Sequence, residues 1–243
     1  MLQWNLYSER TGWLRRVAER ATAWTAGTMN IVDPDGLELG RPRDVDREQL
    51  AGLQAVILRG KPSELVFYDP QEPSTSDYFW LPWLQKQLAI RGAQAHTPEV
   101  PNAYLAHYPT WQQEFERYAV DENTVLIGHS CGAGFLLRWL SEHPQVRART
   151  VVLVAPWTDP GRAFTTDFFD FTLDRQLAAR AGGVTLLYST DDEDSVLATV
   201  ALLQRDLAGV VSVALSERGH FYDARHMTLP ELFILVLAAV DQR

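Results

Sequence analysis

Three short segments carry residues that together could transfer an acyl group. The first, Gly128-His129-Ser130-Cys131-Gly132, sets a serine between two glycines. A serine on a sharp strand-to-helix turn is crowded, so both flanking positions favour glycine, and the turn pushes the hydroxyl outward. The apolar run Thr124–Ile127 precedes it and an amphipathic stretch, Gly132 to Leu140, follows, so the spacing predicts a strand, the turn and a helix. The N–H groups opening that helix can stabilise an anion. The second segment is Ser189-Thr190-Asp191-Asp192-Glu193-Asp194. Serine is a poor nucleophile at neutral pH and needs a base, and the base needs an orienting carboxylate. Any of these aspartates can supply it, and each can equally be a solvated turn residue or a helix cap. The third is Ser216-Glu217-Arg218-Gly219-His220-Phe221, in which His220, of the six histidines, alone follows a predicted strand and a glycine near the C-terminus. His226 is its one nearby competitor, and His129 is expected to pack or hydrogen-bond locally. The backbone N–H of Cys131 is placed to form half of an oxyanion hole, with its thiol packed as a small hydrophobe.

These segments need a scaffold that brings them together. Apolar runs at Leu65–Tyr68, Ala93–Ala95, Thr124–Ile127, Val151–Ala155, Val184–Tyr188 and Val210–Leu215 alternate with helical patterns at Leu81–Ile90, Trp111–Tyr118, Gly134–Leu140 and Pro230 to about Val240. Alternating βα units predict an α/β protein with a mostly parallel, doubly wound sheet flanked by helices. In such sheets chemistry sits beyond the carboxyl ends of the strands. All three segments above fall at such ends.

Upstream, residues 1–62 hold nine basic and eight acidic residues, whereas residues 63–243 hold 13 and 23. This charge shift suggests a separate N-terminal extension. Its pattern reads as helix, hairpin, helix: Trp13, Leu14, Val17, Ala21 and Trp24 at helical spacing; a turn at Asp33-Pro34-Asp35-Gly36; then a second helix carrying Leu50, Leu53 and Ile57, ended by Gly60 and Pro62. The expected role of this extension is packing on or next to the body, with a homodimer through it as a further expectation.

GHSCGAGFLLRWL, VVLVAPW, LLYSTDDEDS and ERGHF, in this order, resemble the small serine hydrolases of the retinoblastoma-binding protein 9 type, from about residue 63 to the C-terminus. The resemblance implies an α/β-hydrolase fold without a large cap. It also implies Ser130 as nucleophile, Asp192 as the orienting acid and His220 as the base. The order Ser, Asp, His along the chain agrees with that fold. The resemblance further implies an oxyanion loop after the first strand, which falls here on Tyr68-Asp69-Pro70-Gln71-Glu72-Pro73. Two prolines there lack an N–H, leaving the backbone of Gln71, with that of Cys131, as the expected donors. The retinoblastoma-binding LxCxE motif is absent from the sequence, so that partner is not implied. The expected activity is hydrolysis of small apolar carboxylic esters, or amides, through an acyl-enzyme on Ser130. A non-catalytic binding protein on the same fold is the rival. Aromatic residues are plentiful beyond the strand ends, and Tyr68, Trp80, Trp157, Phe168 and Phe221 are candidates to line a substrate pocket or to fill the core.

Composition bounds the remaining possibilities. The 243 residues are 46% hydrophobic and 22% charged with a net charge of −9, which disfavours nucleic acid as a partner. The single cysteine excludes an intramolecular disulfide, and no histidine, cysteine or carboxylate cluster has metal-ligand spacing, so neither metal nor cofactor is expected. The longest unbroken apolar run, Leu232–Val240, is too short to span a bilayer. No secretory leader is evident, and the expected location is cytoplasmic.

Overall fold

A computed structural model describes residues 21–25, 28–31, 45–222 and 226–241. Eight strands form one sheet. They are β1 (Ala21–Thr25), β2 (Thr28–Ile31), β3 (Gln54–Leu58), β4 (Gln94–His96), β5 (Thr124–His129), β6 (Thr150–Val154), β7 (Val184–Ser189) and β8 (Val211–Leu215). Their order across the sheet is β1-β2-β8-β7-β6-β5-β3-β4. Only β1 runs antiparallel to its neighbour. The helices are α1 (Glu64–Tyr68), α2 (Trp80–Ala89), α3 (Tyr108–Phe115), α4 (Cys131–Glu142), α5 (Leu177–Arg180), α6 (Asp194–Asp206) and α7 (Pro230–Asp241).

The central strands are apolar on both faces because both faces are covered, as parallel sheets require. Alternation sorts their side chains into two cores. Ile57, Ile127 and Val152 face α2 and α7, where Trp80, Leu84, Leu232 and Val236 pack. Leu58, Leu126, Val151 and Leu153 face α3, α4 and α6, where Trp111, Phe135, Leu140 and Leu203 pack. The anticipated doubly wound α/β architecture is thus present.

Three upstream assignments differ from the structure. The stretch expected as a second extension helix through Leu50, Leu53 and Ile57 is a turn followed by β3. Gly52, at φ 81°, breaks the chain before Gln54. Ala55 to Leu58 are then 1% exposed or less, the burial of an interior strand. The helical spacing of three apolar residues was coincidental. The run Leu65–Tyr68 is not a strand but the short helix α1. The Ser63 hydroxyl accepts the Val66 N–H at 3.2 Å, a helix N-cap, and Leu65 is 86% exposed. The sheet therefore draws on residues both before and after Pro62, so the boundary drawn there on charge is not a boundary of the sheet. Ala21 and Trp24, expected in a first helix, belong to β1, while β2 extends the sheet beside β8. Trp13, Leu14, Val17 and the turn at Asp33–Gly36 lie outside the described residues. Helices α5 and α6 were not anticipated.

After β3 the chain goes outward to β4, then crosses back over β3 to β5 and continues the other way to β8. The order therefore reverses between β3 and β5. That reversal opens a crevice at the carboxyl ends of these two strands, the usual place for a ligand in an open α/β sheet.

Candidate active site

Ser130 stands at this crevice, between β5 and α4. Its backbone is in an unusual region, φ 54° and ψ −122°. Such a conformation persists only when its surroundings hold it. Here the Ser130 N–H donates to the Val154 carbonyl at 3.0 Å, and its own carbonyl accepts from Ala133, Gly134 and Trp157 at 3.0, 3.2 and 3.2 Å. The flanking glycines are needed for close approach. A Cβ on Gly128 would lie 2.6 Å from the Ala133 Cα, and one on Gly132 would lie 2.6 Å from the Arg59 carbonyl oxygen.

The other two segments arrive from β7 and β8. His220 Nε2 lies 2.9 Å from Ser130 Oγ. Its Nδ1 lies 2.9 and 3.2 Å from the two Asp192 carboxylate oxygens. The Asp192 side chain is fully buried and that of His220 is 14% exposed. A carboxylate can only accept, so Nδ1 carries the proton and Nε2 is left to accept from the serine hydroxyl. Asp192 is fixed in turn by the Glu193 N–H, at 2.7 Å from Oδ1. Asp191, the adjacent candidate, points elsewhere: its Oδ1 accepts the Arg218 and Gly219 backbone N–H groups at 3.2 Å each. The Ser189 hydroxyl, which also donates to Asp191, is the main cause holding that carboxyl below the usual aspartate range. His226 is buried with its ring 5.8 Å from that of Phe221, and it is His220 that meets the Ser130 hydroxyl. Burial pushes the Cys131 thiol up to about 11, so it stays protonated beside the serine.

The loop facing Ser130 across the crevice is not the expected one. Because β3 is the strand beside β5, the segment leaving it is Arg59-Gly60-Lys61-Pro62. A Cβ on Gly60 would meet Ser130 Cβ at 2.7 Å and Oγ at 3.2 Å, so this loop abuts the serine. Gln71, the predicted donor, is corrected: its backbone N–H is already given to the Asp69 carboxylate at 2.9 Å. The signal that could have found Gly60 was the buried-strand run Ala55–Leu58 followed directly by a glycine.

The aromatic candidates divide. Trp80, Phe168 and Phe221 are all 0% exposed, so they fill the core rather than line a pocket. Tyr68 is 61% exposed and pairs with Tyr104 through their hydroxyls at 3.0 Å, out on the surface. Trp157 is part-buried, with its backbone N–H on the Ser130 carbonyl and its indole N–H on Ser195 Oγ at 3.0 Å. Its ring packs edge-on against Phe164 and Phe169 at 5.0 and 5.3 Å. Those two rings border a cavity of about 710 Å³ under the 158–175 segment. A smaller depression of about 350 Å³ is lined by Asp191, Asp192, Glu193, Gly219, His220 and Tyr222. Among the described residues no acidic, histidine and cysteine group is arranged to hold a metal ion, and no helix is long and apolar enough to cross a membrane.

A serine hydroxyl on a strand-to-helix turn, backed by an imidazole and a buried carboxylate above a parallel sheet, sits on the scaffold of the α/β-hydrolases. The chain belongs to the serine hydrolase family, whose family model matches residues 73–237. It is 28% identical over 164 residues to "Putative hydrolase YdeN" of Bacillus subtilis, spanning 64% of this chain and 84% of that protein. The solved structure of the B. subtilis ydeN gene product superposes with a TM-score of 0.67 at 23% identity, covering 78% of this chain and 100% of that one. The structure titled for the metagenome-derived lipolytic enzymes LipS and LipT gives 0.53 at 14% identity, covering 79% and 95%. Est1E of Butyrivibrio proteoclasticus with bound ferulic acid gives 0.51 at 10% identity, covering 82% and 94%. At these identities the solved structures speak for the shared fold alone.

Proposed function

We propose that this protein hydrolyses small carboxylic esters through an acyl-enzyme on Ser130, within the hydrolase activity of its family. The observation that carries the reading is the unbroken row Ser130 Oγ, His220 Nε2, His220 Nδ1, Asp192, with both contacts at 2.9 Å. Ser130 attacks the substrate carbonyl while His220 takes its proton. The same imidazole returns that proton to the leaving alkoxide, and Asp192 steadies the imidazolium between the two events. Water, deprotonated by His220, then releases the acid and restores the serine. The backbone of Cys131 and of the Gly60–Lys61 loop is the proposed source of donors to the tetrahedral oxyanion. Trp157, whose backbone N–H reaches the Ser130 carbonyl, carries the Phe164 and Phe169 rings packed on its own, and this aromatic cluster favours an apolar acyl or alcohol group. The motif set favours the retinoblastoma-binding protein 9 type within the family.

A fluorophosphonate probe should label the native protein on a single peptide containing Ser130, read by mass spectrometry. The labelled site should coincide with turnover of short neutral p-nitrophenyl esters. A folded protein that neither reacts nor turns over any ester would favour the non-catalytic binding alternative. The Gly60 loop supplies a further prediction. Gly60→Ala places a methyl 2.7 Å from Ser130 Cβ, so either the loop or the nucleophile must move. A misplacement of about 1 Å can cost about 10²-fold in rate. We expect a loss of about that size in kcat/KM for an activated ester, with a melting temperature close to that of the native protein.

A further inference from the structure

Residues 218–221, which carry His220, are held from several parts of the fold. Asp191 accepts the backbone N–H groups of Arg218 and Gly219. The Arg218 guanidinium meets Glu231 of α7 at 3.0 Å. His129, the last residue of β5, donates its Nε2–H to the His220 carbonyl at 2.8 Å. Trp80, the first residue of α2, donates its indole N–H to the Phe221 carbonyl at 3.2 Å. The segment needs holding, because Glu217 and Phe221 have φ 59° and 58°, a region that L side chains avoid.

His129 has a particular place among these contacts. It directly precedes Ser130, and it grips the backbone of the residue whose ring takes the Ser130 proton. The two imidazoles lie 5.0 Å apart at 48°. The His129 ring is buried and also meets the Trp80 ring, at 5.9 Å and nearly perpendicular. A carbonyl can only accept, so the proton of the ring sits on Nε2. Burial first, and the neighbouring His220 second, keep its pKa well below the usual histidine value, so the ring stays neutral. The tether therefore presents the same donor throughout the working range of the site.

We propose that His129, through its Nε2–H bond to the His220 carbonyl, is a positioning residue that sets the separation between the Ser130 hydroxyl and the His220 imidazole. This role rests on the reading of His220 as the base. His129 spans the gap from the nucleophile's own strand to the base's loop. Any change in the length of this bond therefore changes the Ser130 to His220 distance directly, without passing through the substrate pocket.

The test compares His129→Leu, which fills much of the space without a donor, with His129→Gln, which offers an amide N–H at similar reach. The expected result is a fall in kcat of about 10-fold to 10²-fold for His129→Leu, with KM nearly unchanged, and recovery of most of the loss in His129→Gln. In nuclear magnetic resonance spectra the low-field Nδ1 proton of His220 should broaden or shift in the leucine variant and return in the glutamine one. Equal activity of native protein and both variants, or equal impairment of both variants, would overturn the proposal. Should the leucine variant not fold, the native protein still decides. Nitrogen-15 shifts of its His129 ring must show the Nε2–H tautomer, and an Nδ1–H tautomer overturns the tether. A native protein without ester turnover counts against the hydrolytic reading, whereas an active one indifferent to His129 counts against the tether alone.

Discussion

Ser130→Ala should lower kcat for an activated ester by on the order of 10⁵–10⁶-fold, with little change in KM. The residual rate should come from binding and the oxyanion donors alone. The variant keeps the Cβ, and its strained backbone is held by bonds made through main-chain atoms, from Val154 on one side to Ala133, Gly134 and Trp157 on the other. The melting temperature should therefore change little, and the loss should be chemical. The adjacent thiol offers no replacement nucleophile, because Cys131 is buried and its pKa is pushed up to about 11. The measurement is steady-state turnover of a p-nitrophenyl ester alongside fluorophosphonate labelling. Turnover above about one per cent of native would remove Ser130 from the mechanism.

Asp192→Asn should cost about 10⁴-fold in kcat. The physical reason is the tautomer. Asparagine presents an N–H₂ group toward His220 Nδ1, which favours the imidazole proton on Nε2. Nε2 then faces the Ser130 hydroxyl as a donor and can no longer accept its proton. Asp191→Asn should cost less than about tenfold, because an amide oxygen can still accept the Arg218 and Gly219 N–H groups. Its signature should instead be acid stability. The Asp191 carboxyl is held below the usual aspartate range by the Ser189 hydroxyl, with the Gly219 and Arg218 amides adding to this. A carboxyl depressed on folding stabilises the native state above its unfolded pKa, and that contribution is lost as pH falls. The native protein should therefore lose melting temperature on acidification more steeply than Asp191→Asn. A larger turnover loss at Asp191 than at Asp192 would exchange their roles.

By itself the sequence determined the parallel α/β class, the strands β5 to β8, and the three segments at their carboxyl ends. These were legible because their demands are local. A strand buried on both faces must be an unbroken apolar run, and a crowded turn beside a helix must have glycines. The upstream part was not legible for the converse reason. Four or five apolar residues have the same pattern in a strand as in a short helix, so Gln54–Leu58 and Leu65–Tyr68 were each assigned to the wrong element. The loop expected to face Ser130 moved with them, from Tyr68–Pro73 to Arg59–Pro62. Residue types alone left Asp191 and Asp192 equivalent, since neighbours in a turn differ in direction, not in type; the family resemblance pointed to Asp192, and in the tertiary structure it is Asp192 that reaches His220. The tertiary structure alone sent Trp80, Phe168 and Phe221 to the core, because an aromatic ring reads alike whether it lines a pocket or fills one. It alone revealed that His129 and Trp80 hold the loop of His220. Those bonds join residues 91 and 141 positions apart, and a contact over that distance leaves no periodicity in the chain.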